Sequence, residues 1–288
     1  MPKIQKKRVD TLREELSKSN YQHIVCKFLS YHPEESCSAR PLKVSSDKEN
    51  TPTPIASPTH RSEGWFRERI GKVTSSKAPA LIGLQGREEF VQTWHCIVNK
   101  KEEPPKNFRN FQRGIKFEPS AVECFGADSG AEVKECGMFP LESDRRFGAS
   151  PDRIFQGETC RELEEVKTGI RIVLSGLCLL EVKTRAEGCT EPLNAITGAH
   201  VCQVQLQQEC ANSNVCILQS FVPESKKSRY FLIRKNISFI NCFLQVCSAI
   251  LDNKSLTNIY HDNHNDKLKV LEGHVPEFEN LLALRQWA

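Results

Sequence analysis

Residues 173–184, VLSGLCLLEVKT, are the stretch on which the prediction of the fold depends. A continuous apolar run of this length is typical of a strand that is covered on both faces of a sheet. The run ends in Glu181, Val182 and Lys183, and because alternate side chains of a strand point the same way, Glu181 and Lys183 share one face. A carboxylate and an ammonium group should therefore lie side by side at the end of a buried strand.

Helical and strand patterns alternate on both sides of this stretch. Upstream, the patterns predict helices over 65–73, from Thr74 to Ser76 onward, over 87–101 and over 108–125, and then strands within 131–141 and 145–157. Downstream, they predict a helix from about Gly198 to Glu209, strands over 215–222 and 228–235, and a last helix from about Ser238 to Leu251. Residues 63–288 should thus form one α/β domain, with helices flanking a mixed central β-sheet.

Residues 1–62 differ from the rest of the chain in composition. They are rich in Lys, Ser and Pro, and such a segment buries too little apolar surface to offset its ordering entropy. A flexible basic arm is the expected state. Within it, apolar residues between Leu12 and Leu29 predict a short helix over Asp10–Ser30, capped by Asp10.

Charge, hydropathy and cysteine usage limit the classes of function. The formal net charge is +4, so binding to a polyanion would depend on where individual Lys and Arg residues lie. No apolar run is long enough to span a bilayer, and no apolar segment follows the basic first residues as in a secretory signal, so an intracellular protein is expected, in the nucleus or the cytoplasm. The thirteen cysteines include no CxxC pair, which favours free thiols over disulfides or structural zinc.

A second carboxylate motif precedes the apolar strand. Ser150-Pro151-Asp152 lies within the strand-like stretch 145–157, and if Asp152 lies opposite Glu181, two carboxylates converge on one point. Hard oxygen ligands of this kind suit Mg²⁺ or Mn²⁺. Such a cation would lower the pKa of a bound water, and Lys183 could orient that water or stabilise the charge that develops as it attacks a phosphodiester.

The E-x-K pattern occurs twice, since Glu165-Val166-Lys167 precedes Glu181-Val182-Lys183. The first copy is nearer to Asp152 along the chain. The second ends an apolar strand, whereas residues 161–169, RELEEVKTG, are highly charged for a central strand. We favour the second copy and keep Glu165 and Lys167 as the alternative.

The order of these motifs resembles that of the PD-(D/E)XK nucleases, and in particular the lambda-exonuclease and YqaJ-type viral recombinase family. The resemblance covers about Trp65 to Lys235 and implies a restriction-endonuclease-like core. It is carried by Trp65, Arg69, VTSS at 73–76, Arg113-Gly114, EPSA at 118–121, FGASPD at 147–152, LLEVKT at 179–184 and HVCQVQ at 200–205.

The resemblance implies a role for each matching residue. The catalytic set would be Asp152, Glu181, Lys183, Glu118 and Gln203, and the metal ligands Asp152, Glu181, Glu118 and the backbone carbonyl of Val182. DNA phosphate would be bound by Arg69, Ser76, Arg113 and Gln205. Arg69 can fork onto phosphate oxygens, and Ser76 at a helix start can join backbone N–H groups in binding an anion. His200, Gln203 and Gln207 also fall on one helical stripe.

The function implied by the resemblance is Mg²⁺-dependent or Mn²⁺-dependent hydrolysis of DNA by an exonuclease that acts on duplex ends in recombination or repair. The implied partners are DNA, a recombination partner protein and further copies of the chain, since relatives include ring-shaped trimers. Two alternatives stay open: a structure-selective endonuclease of the same fold, and an inactive nucleic-acid-binding or recombination-partner module. The intact set of Asp, Glu, Lys and Gln residues argues against the inactive module.

Overall fold

The computed structural model describes residues 24–29, 40–41, 62–82, 84–85, 87–101 and 108–252. The helices are α1 (Glu63–Arg69), α2 (Ala78–Leu81), α3 (Arg87–Val98), α4 (Phe108–Ser129), α5 (Gly198–Cys210) and α6 (Ile237–Asp252). The strands are β1 (Ile24–Phe28), β2 (Arg40–Pro41), β3 (Val73–Thr74), β4 (Phe139–Pro140), β5 (Phe147–Ala149), β6 (Arg153–Gln156), β7 (Leu163–Glu165), β8 (Arg171–Val173), β9 (Leu177–Thr184), β10 (Val215–Val222) and β11 (Lys227–Arg234).

Eight of these strands form one mixed sheet in the order β2-β8-β7-β1-β11-β10-β9-β6. β9 and β10 pair in parallel and are joined through α5, whereas β6 pairs with β9 in the antiparallel sense. β9 is covered on both faces, and Cys178, Leu179 and Leu180 within it have no exposed surface. The predicted α/β class, with helices flanking a mixed central sheet, is confirmed.

Alternate residues of β9 contribute to two separate hydrophobic clusters. Leu179 packs in a cluster with side chains of α2, α3, α5 and α6. Cys178 and Leu180 pack in a second cluster, which contains Phe125 of α4. The sheet is therefore covered by α5 on one face and by α4 on the other, and the polar end of β9 lies between these two helices.

A separate three-stranded sheet has the order β3-β5-β4, and the chain passes from its strand β5 to β6, which pairs with β9. β5 ends at Ala149, and β6 of the large sheet begins at Arg153. The residues between them are Ser150, Pro151 and Asp152, so the predicted carboxylate motif is the crossing from the small sheet to the large one.

The helix predicted over Asp10–Ser30 is wrong for residues 24–28, which the structure describes as a strand. Residues 24–28, placed in a helix over Asp10–Ser30, form β1 in the interior of the large sheet, between β11 and β7. Cys26 is buried, and Phe28 packs edge-on against Phe125 and Tyr230, with ring centroids 5.5 and 4.9 Å away. The apolar residues of this segment fit the two-residue alternation of a strand as well as a helical pattern. The strand forms because β11 and β7 are available as pairing partners on its two sides.

Two pieces of the predicted arm thus belong to the sheet, since β2 also pairs with β8. The rest of the arm, including Asp10 and residues 11–23, lies outside the described residues. The helix predicted from Thr74–Ser76 begins later, because Val73 and Thr74 form β3 and α2 starts at Ala78. The other predicted helices and the strands over 215–222 and 228–235 are present with small shifts of their bounds. The stretch 131–141 contains only the strand 139–140, and 145–157 forms two strands, β5 and β6. The stretch 173–184 is not one strand either, because it begins with the last residue of β8, is interrupted at 174–176 and continues as β9. None of the helices within the described ranges combines the length and the apolar character that crossing a membrane requires.

Candidate active site

Asp152 lies beside Glu181 because of the register between β6 and β9. The ladder pairs Arg153 with Leu180, so the next residues on the two strands are Asp152 and Glu181. The backbone N–H of Val182 donates a hydrogen bond of 2.8 Å to Asp152 Oδ2. The predicted convergence of the two carboxylates is therefore present, at the point where β6 begins.

The backbone carbonyl of Val182 faces the same side. In a strand, the N–H and C=O of one residue point toward the same neighbour. The N–H of Val182 points to Asp152, and β6 begins only at Arg153, so the β6–β9 ladder does not extend to the Val182 carbonyl. This places a third hard oxygen atom next to the two carboxylates.

Three donors surround the carboxylate of Glu181, whose residue is 4% exposed. Lys183 Nζ and Gln203 Nε2 donate to Oε1 at 2.7 and 2.6 Å, and Gln207 Nε2 donates to Oε2 at 2.6 Å. Lys183 also donates to Gln203 Oε1 at 2.8 Å. Lys183 and Glu181 are thus held in one hydrogen-bonded network, as expected for neighbours on the same strand face.

The start of α5 is fixed by a capping box, which sets the direction of its glutamines. Thr197 is the N-cap, and its backbone N–H donates to His200 Nδ1 at 3.1 Å. Burial, and then the nearby Lys183 ammonium, lower the pKa of His200 to about 4, so its imidazole is neutral at pH 7 and accepts this bond. His200 is therefore a helix cap that orients the helix bearing Gln203 and Gln207.

The charges of the site perturb one another. Burial raises the pKa of Asp152 well above its usual value, and the carboxylates of Glu181 and Glu118 raise it further. Burial alone would lower the pKa of Lys183, but Glu181 and Asp152 outweigh this effect and raise it. The carboxylates repel one another, and Lys183 stays charged beside them.

Arg69 lines the same cavity as Asp152 and Glu181. Its guanidinium lies over the Trp65 ring at 4.1 Å, and its Nη2 donates to Ser76 Oγ at 2.9 Å and to Thr74 Oγ1 at 3.3 Å. Burial lowers the pKa of Arg69 to about 10, against an opposing effect of Glu181, so the group remains cationic at neutral pH. Trp65 is a core residue, as its indole N–H donates to Ser150 Oγ at 3.0 Å.

A cavity of about 300 Å³ connects these groups. Its lining brings together eight of the residues that the sequence predicted: Arg69, Ser76, Glu118, Asp152, Glu181, Val182, Lys183 and Gln203. The lining thus combines a group of carboxylates with a guanidinium held by the Trp65 ring and Ser76, an arrangement suited to a phosphate group held next to a divalent cation.

A family model, the YqaJ-like viral recombinase domain, matches residues 64–214, which is more than half of the 288-residue chain. The chain belongs to the YqaJ-like viral recombinase family. The matched segment contains all eight of the predicted residues that line the cavity. No significant match was found among curated protein sequences.

Solved structures with the same fold include an alkaline exonuclease, LHK-Exo, from Laribacter hongkongensis. The TM-score is 0.51 and the identity 19%, over 75% of this chain and 99% of LHK-Exo. The complex of LHK-Exo with dAMP matches with a TM-score of 0.51 and an identity of 18%, over the same shares of the two chains. At these identities the likeness shows the fold, and with the family match it confirms the family predicted from the motifs.

Two of the predicted phosphate-binding residues of this YqaJ-family chain do not reach the cavity. Gln205 has no exposed surface, and its amide bonds the Arg234 carbonyl and the Asn236 N–H, each at 2.8 Å. It lies two residues after Gln203, and at about 100° per residue on a helix it points to the opposite side of α5. Arg113 donates to the Arg185 carbonyl at 2.8 Å and pairs with Glu224.

The alternative E-x-K motif lies away from the cavity. Glu165 ends β7, and β1, β11 and β10 stand between β7 and β9. Its carboxylate accepts a hydrogen bond of 2.7 Å from the Thr168 hydroxyl, and Lys167 is exposed. The structure thus places the second motif, and not the first, beside Asp152.

Glu118 lines the cavity, but it does not complete a cluster of acidic ligands. Its Oε1 accepts a hydrogen bond of 2.8 Å from Nη1 of Arg153, a residue to which no sequence motif points. Within the part of the chain that the structure describes, no three His, Cys, Asp or Glu side chains are grouped closely enough to hold a metal ion. The oxygen donors that fit a hard divalent cation are those of Asp152, Glu181 and the Val182 carbonyl, and a cation there would offset the repulsion that raises the pKa of Asp152.

Gln207 is a functional candidate that the motifs do not include. It lies on the same helical stripe as Gln203, and it is one of the three donors to Glu181. We expect Gln207→Leu to weaken Mg²⁺ binding about 10- to 100-fold, the usual effect of losing a partner that orients a metal ligand. The control is Gln208→Leu, since Gln208 is also buried on α5 but donates to the Ile233 carbonyl. Isothermal titration with Mg²⁺ compares the two variants, and equal losses would mean that Gln207 only supports the fold.

Proposed function

We propose that the chain is a divalent-metal-dependent deoxyribonuclease that hydrolyses phosphodiester bonds, acting as an exonuclease on the ends of duplex DNA in recombination or repair. The observation that carries the proposal is the convergence of Asp152, Glu181 and Lys183 in a cavity that Arg69 also lines. Membership of the YqaJ-like family supports it, as does the shared fold of a protein described as an alkaline exonuclease.

Each residue of the site has a part in this chemistry. Mg²⁺ or Mn²⁺, held by Asp152, Glu181 and the Val182 carbonyl, would supply Lewis acidity and lower the pKa of a bound water. The ammonium group of Lys183, which Gln203 and Glu181 fix in place, orients the attacking water and stabilises negative charge on the phosphate oxygens. The hydrolysis forms one P–O bond to the water oxygen and breaks the P–O bond to the leaving oxygen, which ends with the proton that the water releases.

Arg69, which lines the cavity together with the carboxylates, supports action at a DNA end. Arg69 is held by the Trp65 ring and by Ser76, so its guanidinium is oriented before a ligand binds. A cation fixed in this way, a short distance from the scissile position, can bind the terminal phosphate of a strand. Assembly into a ring and a recombination partner protein, both implied by the family resemblance, remain predictions, as does an intracellular location.

The experiment that tests the proposed function uses linear and covalently closed circular duplexes, each incubated with the full chain in Mg²⁺ or in EDTA. Exonuclease activity predicts Mg²⁺-dependent loss of the linear duplex alone. Loss of both substrates would indicate an endonuclease of the same fold. Retention of both, together with a gel shift, would indicate a binding module and overturn the proposal.

We expect Arg69→Ala to slow digestion of ends that carry a 5′ phosphate more than of ends that lack one. Losing a charge-assisted hydrogen bond to phosphate costs about 1.5–3 kcal/mol, roughly a ten- to hundredfold change. Arg67→Ala is the matched control, because Arg67 lies on the same helix but is exposed and pairs with Glu63. Initial rates on the two substrates measure the difference, and equal slowing on both would make Arg69 a general backbone contact.

A further inference from the structure

A buried ion pair lies immediately behind the two candidate metal-binding carboxylates. Arg153, the residue after Asp152, donates from Nη1 to Glu118 Oε1 at 2.8 Å. The two side chains are 11% and 7% exposed. A cation is therefore held next to Asp152 and is paired with Glu118, a residue of α4 that lines the cavity.

Arg153 is held by more than this one contact. Nη1 also donates to the backbone carbonyl of Asp152 at 2.5 Å, and Nη2 lies 3.4 Å from a carboxylate oxygen of Glu135. Buried charges persist where they are paired and hydrogen-bonded, and this guanidinium has both a buried carboxylate partner and a backbone acceptor. It is thus a fixed part of the site and not a mobile surface cation.

The charges that line the cavity or pair with its lining balance. When all of these groups are ionised, three carboxylates, those of Glu118, Asp152 and Glu181, balance three cations, those of Arg69, Arg153 and Lys183. A first divalent cation would already make the site positive. A second one, placed between Asp152 and Glu118, would approach the Arg153 guanidinium and compete with it for Glu118 Oε1.

We propose that Arg153 takes the place of a second divalent cation, so that Glu118 is not a metal ligand and the chain binds one divalent cation at this site. The inference rests on the proposed function, because it assumes that Asp152 and Glu181 hold the first cation. Two-metal sites need carboxylates that bridge or flank both ions. Here the flanking carboxylate is that of Glu118, and it is already paired with the Arg153 guanidinium. The same guanidinium supplies the positive charge beside Asp152.

The test is the stoichiometry of Mn²⁺ alone, titrated to the full-length chain without DNA and followed by electron paramagnetic resonance of the free ion. One ion per chain, lost in Asp152→Asn, is the expected result. Two ions per chain that both depend on Asp152 would overturn the inference and leave the proposed function intact. An absence of Mn²⁺ binding up to millimolar concentration would overturn both.

Two variants distinguish the contribution of Glu118 to Mn²⁺ binding from that of Arg153. In Glu118→Gln we expect Mn²⁺ affinity to change by less than about threefold, whereas loss of a true ligand should exceed the roughly tenfold effect of an outer partner. In Arg153→Gln we expect a second Mn²⁺ ion to bind. If the folded variant still binds only one Mn²⁺ ion, Arg153 does not take the place of the second cation. Arg161→Gln is the control, because Arg161 donates to backbone carbonyls of residues 127 and 128. If Arg153→Gln does not fold, as thermal unfolding will show, Glu118→Gln decides.

Discussion

Asp152→Asn should abolish metal-dependent DNA hydrolysis while the protein stays folded. Asp152 provides one of the two carboxylates at the end of β9, and an amide lacks the charge that holds a divalent cation. The loss should exceed about a hundredfold, the upper end of what removing an outer partner of a metal ligand costs. Digestion of a linear duplex in Mg²⁺ measures it, and near-normal activity in a folded variant would contradict the assignment of Asp152.

The same variant should not be less stable than the wild type in EDTA. Burial and two neighbouring carboxylates raise the pKa of Asp152, so the folded chain favours the neutral form of this side chain. An asparagine oxygen can still accept the hydrogen bond from Val182. Asp144→Asn is the control, because Asp144 pairs with Arg146 outside the cavity; it should retain activity.

Deleting residues 1–29 should unfold the domain or destabilise it severely. The deletion removes β1 from between β11 and β7 and leaves both strands with unpaired edges in the middle of the sheet. It also removes Cys26 and Phe28 from a hydrophobic cluster. Loss of one buried side chain costs about 2–5 kcal/mol, a large part of the 5–15 kcal/mol by which domains are stable.

Chemical denaturation of two truncated chains measures this effect. Deletion of residues 1–20 keeps β1 and serves as the control. We expect a cooperative transition for the control and a lost or strongly shifted one for the longer deletion. Equal midpoints for the two chains would show that β1 contributes little to stability.

The elements that sequence reasoning found are those whose signal is local. The apolar run of β9, the helices and the β10–β11 pair carry their periodicity within one segment, and all are present. β1 could not be found in this way, because it is a strand only through pairing with residues such as Leu232, more than 200 positions away. Tertiary pairing there overrides the local pattern.

The site was predictable in its main parts for a different reason. The order of the motifs identified Asp152, Glu181, Lys183 and Gln203, and the alternation of strand side chains placed two of them together. Gln205 does not belong to the cavity, and helix geometry accounts for this, because it lies about 200° around the helix from Gln203. The pairing of Glu118 with Arg153 depends on how α4 packs against β6, which no local pattern records.

The central claim is that the E-x-K motif at the end of β9, and not its copy in β7, belongs to a metal-dependent nuclease site. The most direct measurement compares Glu181→Gln with Glu165→Gln, each checked for folding by circular dichroism and assayed on a linear duplex in Mg²⁺. We predict that Glu181→Gln loses more than about a hundredfold in activity, since it removes a ligand and not merely an outer partner, whereas Glu165→Gln behaves as the wild type. Full activity in folded Glu181→Gln, or loss of activity in Glu165→Gln alone, would contradict the account.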